Sequence, residues 1–247
     1  MFSTTSLPDK QIPDQLPFEA PDPVPGRELR IRHGKPPPNG RITARISRNL
    51  TRGLGPAYIA CVYGMVNKAM EELIVSRFGA DKWQAVKEKA GVDIDVFLSN
   101  EGYPDKLPYD LVSAASDILG LPAREILIAF GQHWGLNTAR QGYGSMLEAN
   151  GRTLSEFLIN LPSLHTRVAM IFPNLQPPRF HCSDVTGDSL VLHYHSHRPG
   201  LTDFVVGLLQ GLSIMFETPA EIQITQRKSE GADHDVFLNR WQNTAAR

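Results

Sequence analysis

Apolar positions from Tyr63 onward recur every three or four residues. Val66, Met70, Leu73 and Ile74 set the first such stripe, which is the signature of one buried helix face. Further helices are predicted over 82–90, 108–119 and 123–134. "GSMLEANG" and "TLSEFLINL" predict short helices parted by Gly151. "LPSLHTRVAMIF" predicts another, with Pro162 in its first turn, where the missing N–H has no partner to lose. The period then drops to two. "PRFHCSDV" and "SLVLHYHSH" read as strands joined by a turn at Thr186–Gly187–Asp188. "GLTDFVVGLLQGLSIMFE" is a strongly apolar helix over 200–217, and "AEIQITQRKSEGADHDVFLNRW" reads as a closing hairpin turning near Gly231. The order is helices followed by β-β-α-β-β. That predicts an α+β fold, a helical N-terminal subdomain packed on a small antiparallel sheet subdomain.

The stretch before this pattern has different physics. Residues 1–61 carry nine Lys/Arg against five Asp/Glu and ten of the nineteen prolines. "LPDKQIPDQLPFEAPDPVPG" breaks helix and strand alike and buries little, so residues 1–61 are expected to be a disordered, Pro-rich, basic extension to a domain over 62–247. "RITARISRNLTRG" spaces four arginines at helical intervals, as a solvated tail or a basic surface helix would. Val62 also fits a GTG start codon read through from upstream, in which case the extension is not translated. Formal net charge is −1, which gives no global pull toward nucleic acid. Two cysteines exclude a disulfide framework, and a reducing, cytoplasmic setting is expected. No apolar run reaches the length of a membrane span.

Candidate chemistry concentrates in "HYHSHR", residues 193–198. Side chains alternate across a strand, so His193, His195 and His197 share one face. Those three are either solvent-facing histidines at a sheet edge or part of a zinc site completed by His181 or Cys182; the spacing fixes no full ligand set. Tyr194, Ser196 and Arg198 share the other face. They are three hydrogen-bond donors in a row, either polar strand decoration or a grip for carboxylates. His165 lies beside the apolar stripe Leu161, Leu164, Val168 and Phe172, as a core histidine or as a neutral imidazole ligand. A haem needs an axial histidine, apolar walls and a clamp for its propionates, and these residues supply all three.

Three segments together, "VYGMVNKAMEELI", "LHTRVAMIFPNLQPPRFHC" and "YHSHRPGL", resemble the haem–nitric oxide/oxygen binding (H-NOX) domain, the sensor of soluble guanylate cyclase. The likeness runs from Tyr63 to about Trp241. It implies that Tyr194, Ser196 and Arg198 form the family's Y-x-S-x-R propionate clamp, that His165 is the proximal ligand to haem b iron, and that Pro178 presses on the haem plane. The odd-numbered histidines then become bystanders.

The resemblance also implies a ligand class. Oxygen-holding members carry a tyrosine on the helix after the motif, and by count that place is Phe204 here. With Val66, Met70 and Leu208 as the other walls, and with Tyr63 and Trp134 within reach, the expected ligands are nitric oxide and carbon monoxide, with oxygen excluded. A lost hydrogen bond to bound oxygen is worth about 1.5–3 kcal/mol, on the order of ten- to a hundredfold in affinity. The family mechanism implies that nitric oxide weakens the iron–His165 bond and releases the helix that carries it. The output is expected in a separate protein, a histidine kinase or a cyclic-di-GMP enzyme, with no nucleic acid, no membrane and no catalysis by this chain. The competing readings are a peroxidase-like haem enzyme, a haem-free interaction module and a zinc protein.

Overall fold

The apolar stripes become helices because each finds another apolar face to close against. The computed structural model describes residues 61–172 and 175–242; the Pro-rich extension and its basic stretch lie outside the described residues. β1 (Cys61–Tyr63) leads directly into α1 (Gly64–Phe78), α2 (Ala80–Ala90) follows, and β2 (Gly102–Pro104) returns to pair antiparallel with β1. This two-stranded sheet was not predicted, since strands of three residues are too short to display a period of two. α3 (Lys106–Leu119) and α4 (Ala123–His133) complete the helical half, whose core includes Leu73, Ile74, Trp83, Val86 and Leu111.

A π-helical turn at Trp134–Thr138 carries α4 into α5 (Ala139–Glu148). The helix expected only at "GSMLEANG" therefore starts earlier. Glycine and asparagine in this stretch lower the local helix propensity, and tertiary packing overrides them. α6 (Leu154–Ile159) is capped by Thr153, whose Oγ1 accepts from Glu156 N at 3.2 Å while Glu156 Oε2 accepts from Arg152 N at 2.8 Å. α7 (Leu161–Ile171) buries Leu161 and Leu164 and has its proline in the first turn, as expected.

The second half is an antiparallel sheet. β3 (Arg179–Ser183), β4 (Ser189–His195), β6 (Asp235–Trp241) and β5 (Ala220–Gln226) lie in the order β3-β4-β6-β5. Along β4, Leu190, Leu192 and Tyr194 are buried, while Val191, His193 and His195 are only half-buried. α8 (Thr202–Met215) adds Val205, Leu209 and Leu212 to the same core as Leu190 and Leu192. It also crosses α4 in backbone contact. A Cβ on Gly207 would sit 2.0 Å from the Ile128 carbonyl oxygen, and one on Gly131 would sit 2.1 Å from that of Phe204. No other residue fits at those two positions without parting the helices. The observed α+β architecture, helices followed by β-β-α-β-β, is the one the periodicity predicts.

Candidate functional site

The two halves meet around a cavity of about 290 Å³, lined mainly by apolar side chains. Its wall is built from both cores, and Phe204 on α8 packs against each of them. Phe130 on α4 lies 5.2 Å from Phe204, ring to ring, and Trp134 meets Phe130 edge-on at 6.4 Å. Val66 and Leu208 line the cavity with them. Met70 does not. It is 1% exposed and belongs to the core of the helical half. One helical turn past Val66 rotates a side chain by about 40° and raises it about 6 Å, which moves Met70 off the cavity and into the bundle.

α7 places His165 in the cavity wall, its ring parallel to that of Phe180 on β3 at 5.3 Å. Burial pushes its pKa down to about 4, weakly opposed by the Leu161 carbonyl one turn back. The imidazole is therefore neutral at pH 7 and carries a free lone pair. Its Nδ1 is buried with no partner at hydrogen-bond geometry. Pro178, in the segment leading to β3, lines the same cavity.

Tyr194, Ser196 and Arg198 come together at the cavity, although β4 stops at His195 and only Tyr194 owes its direction to the strand. Tyr194 is 4% exposed and packs on Phe180 at 5.1 Å; burial raises its pKa, with the Ser196 hydroxyl opposing. Ser196 Oγ accepts from Arg198 N at 3.0 Å. The Arg198 guanidinium is already engaged. Nε and Nη2 donate to the two carboxylate oxygens of Asp105 at 3.0 and 3.1 Å, and Nη1 donates to the Gln176 carbonyl at 2.9 Å.

Asp105 escaped the sequence reading. It stands at the N-terminal end of α3, where an aspartate ordinarily caps its own helix, yet its side chain makes no capping bond there. It turns instead to an arginine ninety-three residues downstream, a link no local pattern can reveal. Tyr63 and Trp134 line the cavity as well. Tyr63 packs at a tilt against Phe172, at the end of the helix that bears His165, with ring centroids 4.7 Å apart. Trp134 belongs with Phe130 and Phe204.

The histidines of β4 fall elsewhere. His193 and His195 project from the opposite face of the sheet, where His181 stacks on His193 at 4.1 Å, and exposed His197 lies past the strand end. Cys182 faces the other way. It packs against the sheet core, and burial raises its pKa to about 11, so it makes no pair with His193.

The model of the Haem-NO-binding family matches residues 63–224. The chain belongs to that family. Among curated proteins it is similar to soluble guanylate cyclase gcy-31 of Caenorhabditis elegans, 29% identical over 178 residues, which are 72% of this chain and 25% of that one. Soluble guanylate cyclase 89Db of Drosophila melanogaster is 25% identical over 146 residues, 59% of this chain and 22% of that one. The chain thus spans a quarter or less of the length of these two relatives. The H-NOX fold is shared with solved structures. An H-NOX protein from S. oneidensis in the Fe(II)NO state matches with a TM-score of 0.67 at 21% identity, over 74% of this chain and 100% of that one. The Fe(II) unliganded H-NOX protein from K. algicida matches with a TM-score of 0.65 at 20% identity, over 73% and 97%. An H-NOX domain of Shewanella oneidensis in the Fe(II)CO state matches with a TM-score of 0.66 at 21% identity, over 74% and 99%. The chain is therefore an H-NOX domain, a haem-based gas-sensor fold.

Proposed function

We propose that this H-NOX domain takes up haem b in the cavity, with His165 as the residue that would hold its iron. The observation that carries the reading is a neutral imidazole with an unpartnered buried nitrogen, set in an apolar cavity beside a guanidinium. Tyr194, Ser196 and Arg198 would hold the propionates. Arg198 would then share its charge between them and Asp105. Pro178 would bear on the porphyrin face, and Val66, Phe204 and Leu208 would form the apolar wall around the gas. When bound, haem would supply an iron able to coordinate a diatomic gas.

The ligands proposed are nitric oxide and carbon monoxide, with oxygen disfavoured because Phe204 has no hydrogen to donate. Trp134 also lines the cavity and carries an indole N–H, and a stable oxygen complex in air would point to it. The chain is proposed to act as a sensor and not as a catalyst, since Val66, Phe204 and Leu208 offer no acid or base to the reacting side.

The chain's own residues connect the cavity to the rest of the helical framework. His165 sits in mid-α7, and two residues later Arg167 Nη2 donates to Asn150 Oδ1 at 2.8 Å. Buried Asn150 also donates from Nδ2 to the Phe157 carbonyl at 3.1 Å, and its backbone carbonyl accepts from Asn160 Nδ2 at 2.9 Å. Movement of α7 would thus reach α6 and the end of α5 through one residue, Asn150. We propose that a separate signalling protein, a histidine kinase or a cyclic-di-GMP enzyme, reads that movement, and that the protein works in the cytoplasm. Among the described residues no helix is long and apolar enough to cross a membrane.

The test is an absorption spectrum of the ferrous full chain, with and without nitric oxide, for wild type and His165→Gly. Wild type is expected to show a haem band that shifts with nitric oxide. The variant is expected to lose haem unless imidazole is supplied. Equal haem content and equal gas response in both would overturn the assignment of His165.

A further inference from the structure

Four of the chain's eight histidines gather on the outer face of the sheet, away from the cavity. His181 and His193 face each other across β3 and β4, and His234, just before β6, stacks on His195 at 4.0 Å. Charged imidazoles would repel at these distances, so the cluster favours neutral rings with lone pairs. His193 and His195 have lowered pKa values, from desolvation first and then from their histidine neighbours.

Among the described residues, ligand atoms of His195, Asp233 and His234 all lie within 4.8 Å of one another. We propose that these three residues form a second metal site on the outer sheet face, taking a divalent transition ion of the zinc class. Two ligands on a tetrahedral zinc, each at about 2.0–2.1 Å, stand about 3.4 Å apart. To reach that spacing the Asp233–His234 pair, now 2.5 Å apart, opens, and the other separations, at most 4.8 Å, close; these side chains are half-buried or exposed and free to rotate.

The ion takes the place of the proton between Asp233 and His234 Nδ1, which are 2.5 Å apart. The His234 proton then resides on Nε2, which lies 2.9 Å from His193 Nδ1 and donates to it. His193 Nε2 in turn meets Ser183 Oγ at 3.0 Å. This is the hydrogen-bonded support that fixes the tautomer and orientation of a metal-bound histidine. Water completes the coordination. The site does not depend on the haem assignment. It would pin β4 from the face opposite Tyr194.

The test is zinc titration of the chelator-treated full chain by calorimetry, with cobalt(II) absorption as the report on coordination. One ion per chain is expected, at micromolar or tighter affinity. His195→Ala and Asp233→Asn should each weaken binding at least tenfold, and His193→Gln on the order of tenfold through the supporting shell. His165→Gly should leave it unchanged. Urea midpoints close to wild type would show that the exposed-face variants fold. No binding below about 1 mM, binding unaffected by His195→Ala, or binding lost with His165→Gly while retained in the outer-face variants would each overturn the proposal.

Discussion

Asp105→Asn keeps the shape of the side chain and removes the charge that faces Arg198. The pair is bidentate, at 3.0 and 3.1 Å, and the two side chains are only 14% and 20% exposed. Breaking a fully buried pair costs about 3–5 kcal/mol, and an exposed pair contributes about 0–1 kcal/mol. This one lies between those limits. Arg198 also keeps the Gln176 carbonyl as an acceptor, so its charge is not left wholly unpartnered. The expected loss is about 2 kcal/mol, and it ties the start of α3 in the helical half to the end of the clamp. The assay is urea unfolding of the haem-free full chain for Asp105→Asn, Arg198→Gln and the double variant. A coupling energy of about 1.5–2.5 kcal/mol is expected from the cycle. A single-variant loss under about 0.5 kcal/mol, or additive losses, would refute the reasoning.

Gly207→Ala would place a methyl group 2.0 Å from the Ile128 carbonyl oxygen and force α4 and α8 apart. A loss of about 3 kcal/mol, at the upper end for overpacking, should appear as a lowered Tm. Phe204→Tyr should raise oxygen affinity about ten- to a hundredfold if the added hydroxyl reaches the bound gas, and equilibrium binding spectra would read it. His165 titrates near pH 4 when folded and near 6.5 when unfolded, so the unfolded chain binds more protons between those values. Stability of the haem-free chain should therefore fall as pH drops through that window, by about 3 kcal/mol in all. The contribution should be constant above about pH 6.5, and urea midpoints for wild type and His165→Gln would show whether the slope belongs to this side chain.

The sequence alone determined what is written locally. The helix stripes, the switch to a period of two at "PRFHCSDV", the turn at Thr186–Gly187–Asp188 and the two faces of β4 all follow from side-chain direction along a single element. Tyr194, Ser196 and Arg198 were legible because they alternate in sequence at the end of a strand pattern, although β4 itself stops at His195, and His165 because it interrupts an apolar stripe. Only the tertiary structure decided which distant residues meet them. Asp105 reaches Arg198 across ninety-three residues, His234 reaches His193 across forty-one, and β1 finds β2 by closing a long loop. Met70 shared its stripe with Val66 in sequence, yet the net rotation of about 40° over four residues put one in the bundle core and the other on the cavity. Periodicity fixes which way a side chain leaves its own backbone. What it then touches is set by how separate elements pack, and chain spacing does not encode that distance.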